Sequence, residues 1–221
     1  MKLMAEALAK FACGLLMVGL LTFLPAGTMG YSYGWLLIGL LFVPMLIAGF
    51  VMLHKSPQFL KKRLDAKEKQ GTQKTVVALS GVMFIAGFVV AGLDFRFGWS
   101  AMPSWVVIAA SVLFLVAYVL YAEVMRENAY LSRTIQVEKG QTVVDTGLYG
   151  IVRHPMYAAT VLLFLMMPLV LGSWYALIAF GFYPAIIITR LKDEEALLTR
   201  ELVGYEAYKQ KVKYRMIPYI W

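Results

Sequence analysis

The sequence predicts an all-α integral membrane protein: about six hydrophobic helices, the last two a short hairpin, then a cytoplasmic amphipathic C-terminal helix. Three observations lead there. Of 221 residues, 61% are apolar and 15% charged, against about half and about a quarter in soluble domains. The apolar residues gather in six continuous runs, and the charges gather between them on one side of the implied bundle.

Crossing about 30 Å of hydrocarbon takes about 20 helical residues, so six spans use roughly 120 positions and leave no room for a separate soluble domain. The runs at 11–26, 35–53, 75–93 and 104–122 read as ordinary spans. Those at 157–171 and 174–189 are shorter and are separated only by Gly172 and Ser173, which suits a tight helical hairpin bent by Pro168 and Pro184. Lys2 and Lys10 before the first run, with the small residues Ala26 and Gly27 at its end, are similar to a signal peptide; we expect an uncleaved first span. Residues 1–122 form the four-span bundle and probable acceptor side, and residues 123–221 a cofactor-binding loop, the hairpin and the tail helix.

Loop charges set the expected orientation. Residues 54–74 carry Lys55, Lys61, Lys62, Arg63, Lys67, Lys69 and Lys74 against Asp65 and Glu68, whereas residues 27–34 carry no charge. Positive loops stay inside, so this loop, residues 123–155, the tail and both termini are expected in the cytoplasm, and the lack of an organelle signal leans toward a prokaryotic plasma membrane. The net charge of +8 is then an orientation signal on an anionic membrane rather than a nucleic-acid footprint. A single cysteine, Cys13, excludes an intrachain disulfide and reads as a small buried hydrophobe. His54 and His154 lie on different segments without an HExxH pattern, so no metal is expected.

Past the fourth run, Glu123, Arg126 and Glu127 continue with helix formers, which predicts a helix projecting to about Leu131. Residues 132–149 read as an ordered loop with extended stretches and a turn at Lys139 and Gly140. Beyond Arg190, the positions Leu191, Leu198, Leu202, Tyr205, Tyr208 and Val212 recur at helical spacing, as for an amphipathic helix against the membrane or the bundle base.

Transport across the bilayer needs charges inside the spans, and these spans are nearly empty of them. Chemistry at one face fits better. Two segments bracket the hairpin: Gly-Leu-Tyr-Gly-Ile-Val-Arg-His-Pro-Met-Tyr at 147–157 and Arg-Leu-Lys-Asp-Glu-Glu at 190–195. The hairpin brings them together. Pro155 suits a first helical position, with free N–H groups beyond it for an anion, and Arg190 and Glu194 share a helix face. Singly, Arg153, Arg190, His154, Tyr149 and Tyr157 have ordinary readings as interfacial anchors, caps or belt aromatics; their joint placement points to a site.

These motifs, followed by Gly204-Tyr205, Tyr208, Arg215 and Pro218, strongly resemble the isoprenylcysteine carboxyl methyltransferase family and its phospholipid N-methyltransferase relatives over about 128–218. The resemblance implies an integral-membrane enzyme using S-adenosylmethionine. It implies that Gln141, Thr142, Val143, Val144, Tyr149, His154, Pro155, Met156, Tyr157 and Glu194 bind the cofactor. It implies a catalytic group of Arg190, His154 and Arg153, with Arg190 also facing the acceptor. Gln141 stands where family members often have His. No Gly-x-Gly-x-x-Gly motif occurs, so a soluble dinucleotide-type fold is not implied.

The expected reaction is methyl transfer to a lipidic or apolar acceptor entering from the bilayer, with a prenylcysteine-like carboxylate favoured over a phospholipid amine or small thiol. An anionic acceptor needs no general base; for an amine, His154 is the first candidate. Two rivals remain: a membrane NADPH-dependent reductase, whose usual Pro-Asn-Tyr and Gly-Glu are absent from Pro155-Met156-Tyr157-Ala158-Ala159, and a small transporter or scaffold.

Overall fold

The computed structural model describes residues 2–65, 71–132 and 134–221, with backbone alone at 71 and 72. Lys67, Glu68 and Lys69 of the basic loop lie outside the described residues. The helices are α1 (Lys2–Ala26), α2 (Ser32–Lys55), α3 (Pro57–Leu64), α4 (Gly71–Phe97), α5 (Ser104–Glu127), α6 (Pro155–Val170), α7 (Trp174–Phe180), α8 (Tyr183–Glu201) and α9 (Tyr205–Lys211). The all-α class holds. Among the described residues five helical segments are long and apolar enough to cross a membrane, the last being Trp174–Glu201, and Pro155–Val170 is a shorter apolar helix.

Lipid tails are as apolar as leucine, so the helices are held by contact packing rather than by exclusion from water. α4 packs against α1, α7 and α8, and α6 against α5, α7 and α8. Four of these helices meet in one aromatic cluster. Phe84 of α4 lies edge-on to Phe164 of α6 at 4.8 Å and to Phe180 of α7 at 5.7 Å, and Phe164 lies edge-on to Tyr183 of α8 at 4.6 Å. Cys13, expected to be buried, is exposed, because α1 turns this side outward from the bundle.

The end remote from the bracketed motifs is tied by buried Asp94. Its carboxylate accepts from the Ser100 amide at 2.7 Å, the Ser100 hydroxyl at 2.6 Å and the Ser173 hydroxyl in the hairpin turn. Ser173 in turn accepts from the Ala176 amide at 3.0 Å and caps α7. The Tyr31 hydroxyl donates to the Leu171 carbonyl beside the same turn.

Three elements differ from expectation. The second hairpin arm breaks at Gly181 and Phe182, with Pro184 in the first turn of α8, where a missing N–H is tolerated. α8 then runs on to Glu201, so Arg190 and Glu194 belong to the last apolar helix rather than to a separate tail helix. α5 stops at Glu127, not Leu131, because the Asn128 side chain accepts from the Tyr130 amide at 2.9 Å and so satisfies the backbone outside the helix. The tail is two helices, α8 and α9, interrupted where Gly204 takes φ +87°.

Candidate functional site

Residue 155 being proline restricts its predecessor, and His154 is accordingly non-helical, with φ −127° and ψ 61°, while Pro155 opens α6. The chain arriving there is fixed by the C-terminal tail. The Arg153 amide donates to the Tyr214 carbonyl at 2.9 Å and the His154 amide to the Arg215 carbonyl at 2.8 Å. The side chains repeat the join: Arg153 Nε donates to Glu195 Oε1 at 2.7 Å, and Arg153 Nη1 to the carbonyls of Val212 and Lys213 at 2.8 and 2.9 Å. Arg215 Nε reaches Glu195 Oε2 at 2.9 Å, and His154 Nε2 lies 3.2 Å from Glu195 Oε1. Glu195, which sequence reasoning passed over for its neighbour, is thus the buried anion joining α6, α8 and the tail.

The loop before α6 is braced from α5. Glu127 accepts from the Leu148 amide at 2.9 Å, and Gly147, at φ +52°, allows that approach, because a side chain there would overlap the Glu127 carboxylate. The following 3-10 turn, Gly147–Gly150, buries Tyr149. Its hydroxyl accepts from Asn128 Nδ2 at 3.0 Å, and its carbonyl accepts from the Tyr208 hydroxyl at 2.8 Å. Gln141 Oε1 accepts from the Glu138 amide at 2.9 Å across the Lys139-Gly140 turn.

Between this loop, α6, α8 and α9 lies a cleft enclosing about 830 Å³ of empty space, its open mouth included. Gln141, Thr142, Val143, Val144, Tyr149, Arg153, His154, Met156, Tyr157, Arg190 and Glu194 all line it; Pro155 does not. At its wall the Tyr157 hydroxyl donates to Glu194 Oε2 and accepts from Arg190 Nε at 3.2 Å, so anion, phenol and cation form one connected group. The His154 ring stacks over Tyr157 at 5.7 Å.

Sequence reasoning missed Asn128 and Leu131 and gave Tyr205 and Tyr208 another role. All four line the cleft. The helical spacing of the tail was the signal, but its apolar face is turned differently: Leu202, Tyr205, Tyr208 and Val212 pack on Val137 and Val143 of the loop rather than on the bilayer. Burial pushes the phenols of Tyr149, Tyr205 and Tyr208 well above their ordinary range, with the Glu195 and Glu194 charges adding to the effect at Tyr205. These hydroxyls therefore stay neutral donors. Among the described residues the Tyr205 hydroxyl is buried with no hydrogen-bond partner. Among the described residues no group of three or more His, Cys, Asp or Glu is arranged to hold a metal.

Comparison with known proteins gives two relatives and one family. The chain is 26% identical over 165 residues to the uncharacterized protein YpbQ of Bacillus subtilis (strain 168), covering 74% of this chain and 95% of the relative. It is 30% identical over 91 residues to the Delta(14)-sterol reductase TM7SF2 of Mus musculus, covering 40% of this chain and 22% of that protein. Residues 106–200 match the Isoprenylcysteine carboxyl methyltransferase (ICMT) family. The match begins in α5, ahead of the first recognisable motif, and ends in α8, short of the tail that carries Tyr205 and Arg215. With the apolar helices, it supports a membrane methyltransferase. Over residues 106–200, somewhat under half of its length, the chain is similar to the isoprenylcysteine carboxyl methyltransferase family.

Proposed function

We propose that this protein transfers a methyl group from S-adenosylmethionine to a lipidic or apolar acceptor, most specifically to the carboxylate of a prenylcysteine-like substrate, at the cytoplasmic face of the membrane. The observation carrying this reading is the Arg190–Tyr157–Glu194 group in a cleft that also holds a buried, unpartnered Tyr205 hydroxyl. An unpaired buried hydroxyl costs about 1–3 kcal/mol, which supports a polar ligand bound beside it. The cofactor has polar groups of both signs and a flat apolar ring, which matches a lining of carboxylate, hydroxyls and aromatic faces.

Glu194, Tyr157, Tyr205, Tyr149 and the loop residues Gln141, Thr142, Val143 and Val144 would hold the cofactor. Bound there, it supplies an activated methyl group on a sulfonium. The chain's own contribution is alignment and dryness. Arg190 orients the acceptor's charge, Val143, Val144, Met156 and Leu198 keep water out, and a carboxylate acceptor requires no base. Arg153 acts here as a positioning residue through Glu195. The Glu195 carboxylate faces His154 Nε2, which favours His154 as a placed ring stacking on Tyr157. The bilayer supplies the acceptor, and neither nucleic acid nor metal enters the reading.

The test is binding of S-adenosylhomocysteine to the purified protein in detergent, followed by label transfer to prenylcysteine, phospholipid-amine and thiol acceptors. We expect binding that Glu194→Ala weakens at least tenfold. No binding by the wild type, or an unaffected Glu194→Ala, overturns the reading. The sterol reductase similarity favours one second reading, an NADPH-dependent reductase. Tight NADPH binding without S-adenosylhomocysteine binding would select it.

A further inference from the structure

Beyond the cleft, the tail closes into a turn beside the head of α6. The His154 amide donates to the Arg215 carbonyl at 2.8 Å, which sets residue 215 next to Pro155, where the apolar run of α6 begins. Met216 is buried, and Trp221 partly buried, in the same apolar cluster as Tyr157 and Leu191. Between them the chain doubles back. The Ile217 amide donates to the Trp221 carbonyl and the Trp221 amide to the Ile217 carbonyl, each at 3.0 Å, and the Arg215 and Met216 amides reach that same Trp221 carbonyl. Tyr219 is held at φ +65°, shared by no other non-glycine among the described residues, and a bulky residue keeps that conformation only where its surroundings impose it. The turn is fixed, so what its side chains face is built in.

They face outward. Tyr219 is 87% exposed and Ile220 77%, with Ile217 and Pro218 exposed beside them. Tyr219 leans on Tyr214, ring centroids 5.3 Å apart, and both share a surface hollow with exposed Ile151. Large apolar side chains gathered at a surface mark a contact site, and their position selects the contact. Through Met216 and Trp221 the turn continues the apolar surface of the bundle at the level where a span opens, the depth at which aromatic residues collect in membrane proteins. The neighbouring charge fits the same partner. Lys211 is neutralised by Asp145 at 2.7 Å and Arg215 by Glu195 at 2.9 Å, whereas exposed Lys213, in the same hollow, meets no carboxylate among the described residues. A lysine stem can lie along apolar groups while its ammonium reaches lipid phosphates, and anionic lipids favour it there.

We propose that the turn at 217–220, with Ile151 and Lys213, docks on the bilayer: its apolar side chains enter the head-group layer of the leaflet on the cleft's side, and Lys213 binds an anionic head group. The apolar face of α9 is spent on the loop, so this turn is the tail's membrane contact. The tail is then held at two points, by the bilayer at the turn and by Glu195 at Arg215, and the carbonyls that receive Arg153 and His154 lie next to both.

The experiment places an environment-sensitive dye on one cysteine of the full chain in nanodiscs, with Cys13→Ser removing the native thiol. Ile220→Cys carries the dye in the turn, and Arg200→Cys, exposed near the outer end of α8, carries it as an aqueous reference. The dye at 220 is expected to emit to the blue of the reference and to be quenched by lipids bearing a nitroxide just below the head group. Replacing phosphatidylcholine by phosphatidylglycerol deepens that quenching, and Lys213→Gln abolishes the gain. A dye at 220 as wet and as unquenched as the reference overturns the proposal. A blue-shifted dye that the nitroxide lipids do not reach marks a protein partner or a second copy of the chain, and overturns it too. So does quenching that is the same in both lipids. Should Ile220→Cys not fold, Ile217→Cys gives the same readings from the other side of the turn. No reading uses the methyl donor, so failure of the methyltransferase reading leaves every outcome as it stands.

Discussion

Arg153 and Glu195 meet across 42 residues of sequence, Nε to Oε1 at 2.7 Å, with both side chains less than a tenth exposed. Arg215 closes the other carboxylate oxygen, so one buried anion gathers the entry to α6, the outer half of α8 and the tail. Arg153 and His154, both held by this junction, also line the cleft.

Removing one partner of a buried pair leaves a desolvated charge and costs about 3–5 kcal/mol. Glu195→Gln and Arg153→Gln are each expected to lower the unfolding midpoint in detergent by several degrees and to release the tail to proteolysis after Val212. Arg215→Gln has a smaller effect, because its side chain is 34% exposed. Equal resistance of all three variants to heat and protease would dismiss the junction.

The Tyr205 hydroxyl gives a prediction whose sign changes with the ligand. In the free protein, Tyr205→Phe removes a buried, unpartnered group and is neutral or stabilising by up to about 1 kcal/mol. With S-adenosylhomocysteine present, the same variant loses a hydrogen bond, and its ligand-induced rise in unfolding temperature is smaller than that of the wild type. Identical rises for both proteins would remove Tyr205 from the site.

Tyr157 joins Glu194 to Arg190 through one oxygen. Tyr157→Phe keeps the ring over His154 and deletes both hydrogen bonds, each with a net worth of about 1 kcal/mol. S-adenosylhomocysteine affinity should fall about fivefold, alongside a loss of about 2 kcal/mol in stability from the two hydrogen bonds. Calorimetric titration separates this outcome from a general loss of fold.

At the opposite end, Asp94→Ala leaves the hydroxyls of Ser100 and Ser173 and the Ser100 amide without their acceptor. About 2 kcal/mol of stability should be lost, with S-adenosylhomocysteine affinity unchanged in the protein that remains folded. A drop in affinity would show instead that the hairpin turn is coupled to the cleft.

Much of the fold was legible in the chain itself. Hydrocarbon thickness imposes a length on every span, and the sequence obeys it with runs whose charges are held at the ends, so the helical class and the approximate spans follow from composition and periodicity. The closing of 147–157 onto 190–195 followed from a hairpin too short to do otherwise. Boundaries decided by single side chains were less legible: Asn128 capping α5 one turn early, Pro184 restarting a helix, Gly204 dividing the tail.

The amino-acid order by itself determined that Arg190 and Glu194 share a face and that the cleft contains Tyr149, His154 and Tyr157, because these positions are linked by helical spacing or by one short turn. Only the tertiary structure decided that Glu195 rather than Glu194 takes Arg153, that the tail's apolar face covers the loop rather than the bilayer, and that Arg63 reaches Tyr121. Helix periodicity names the residues on a face. Which partner meets that face depends on the packing of segments distant in sequence, where a shift of one residue, about 100° around a helix, exchanges a buried counter-ion for a cleft-lining one.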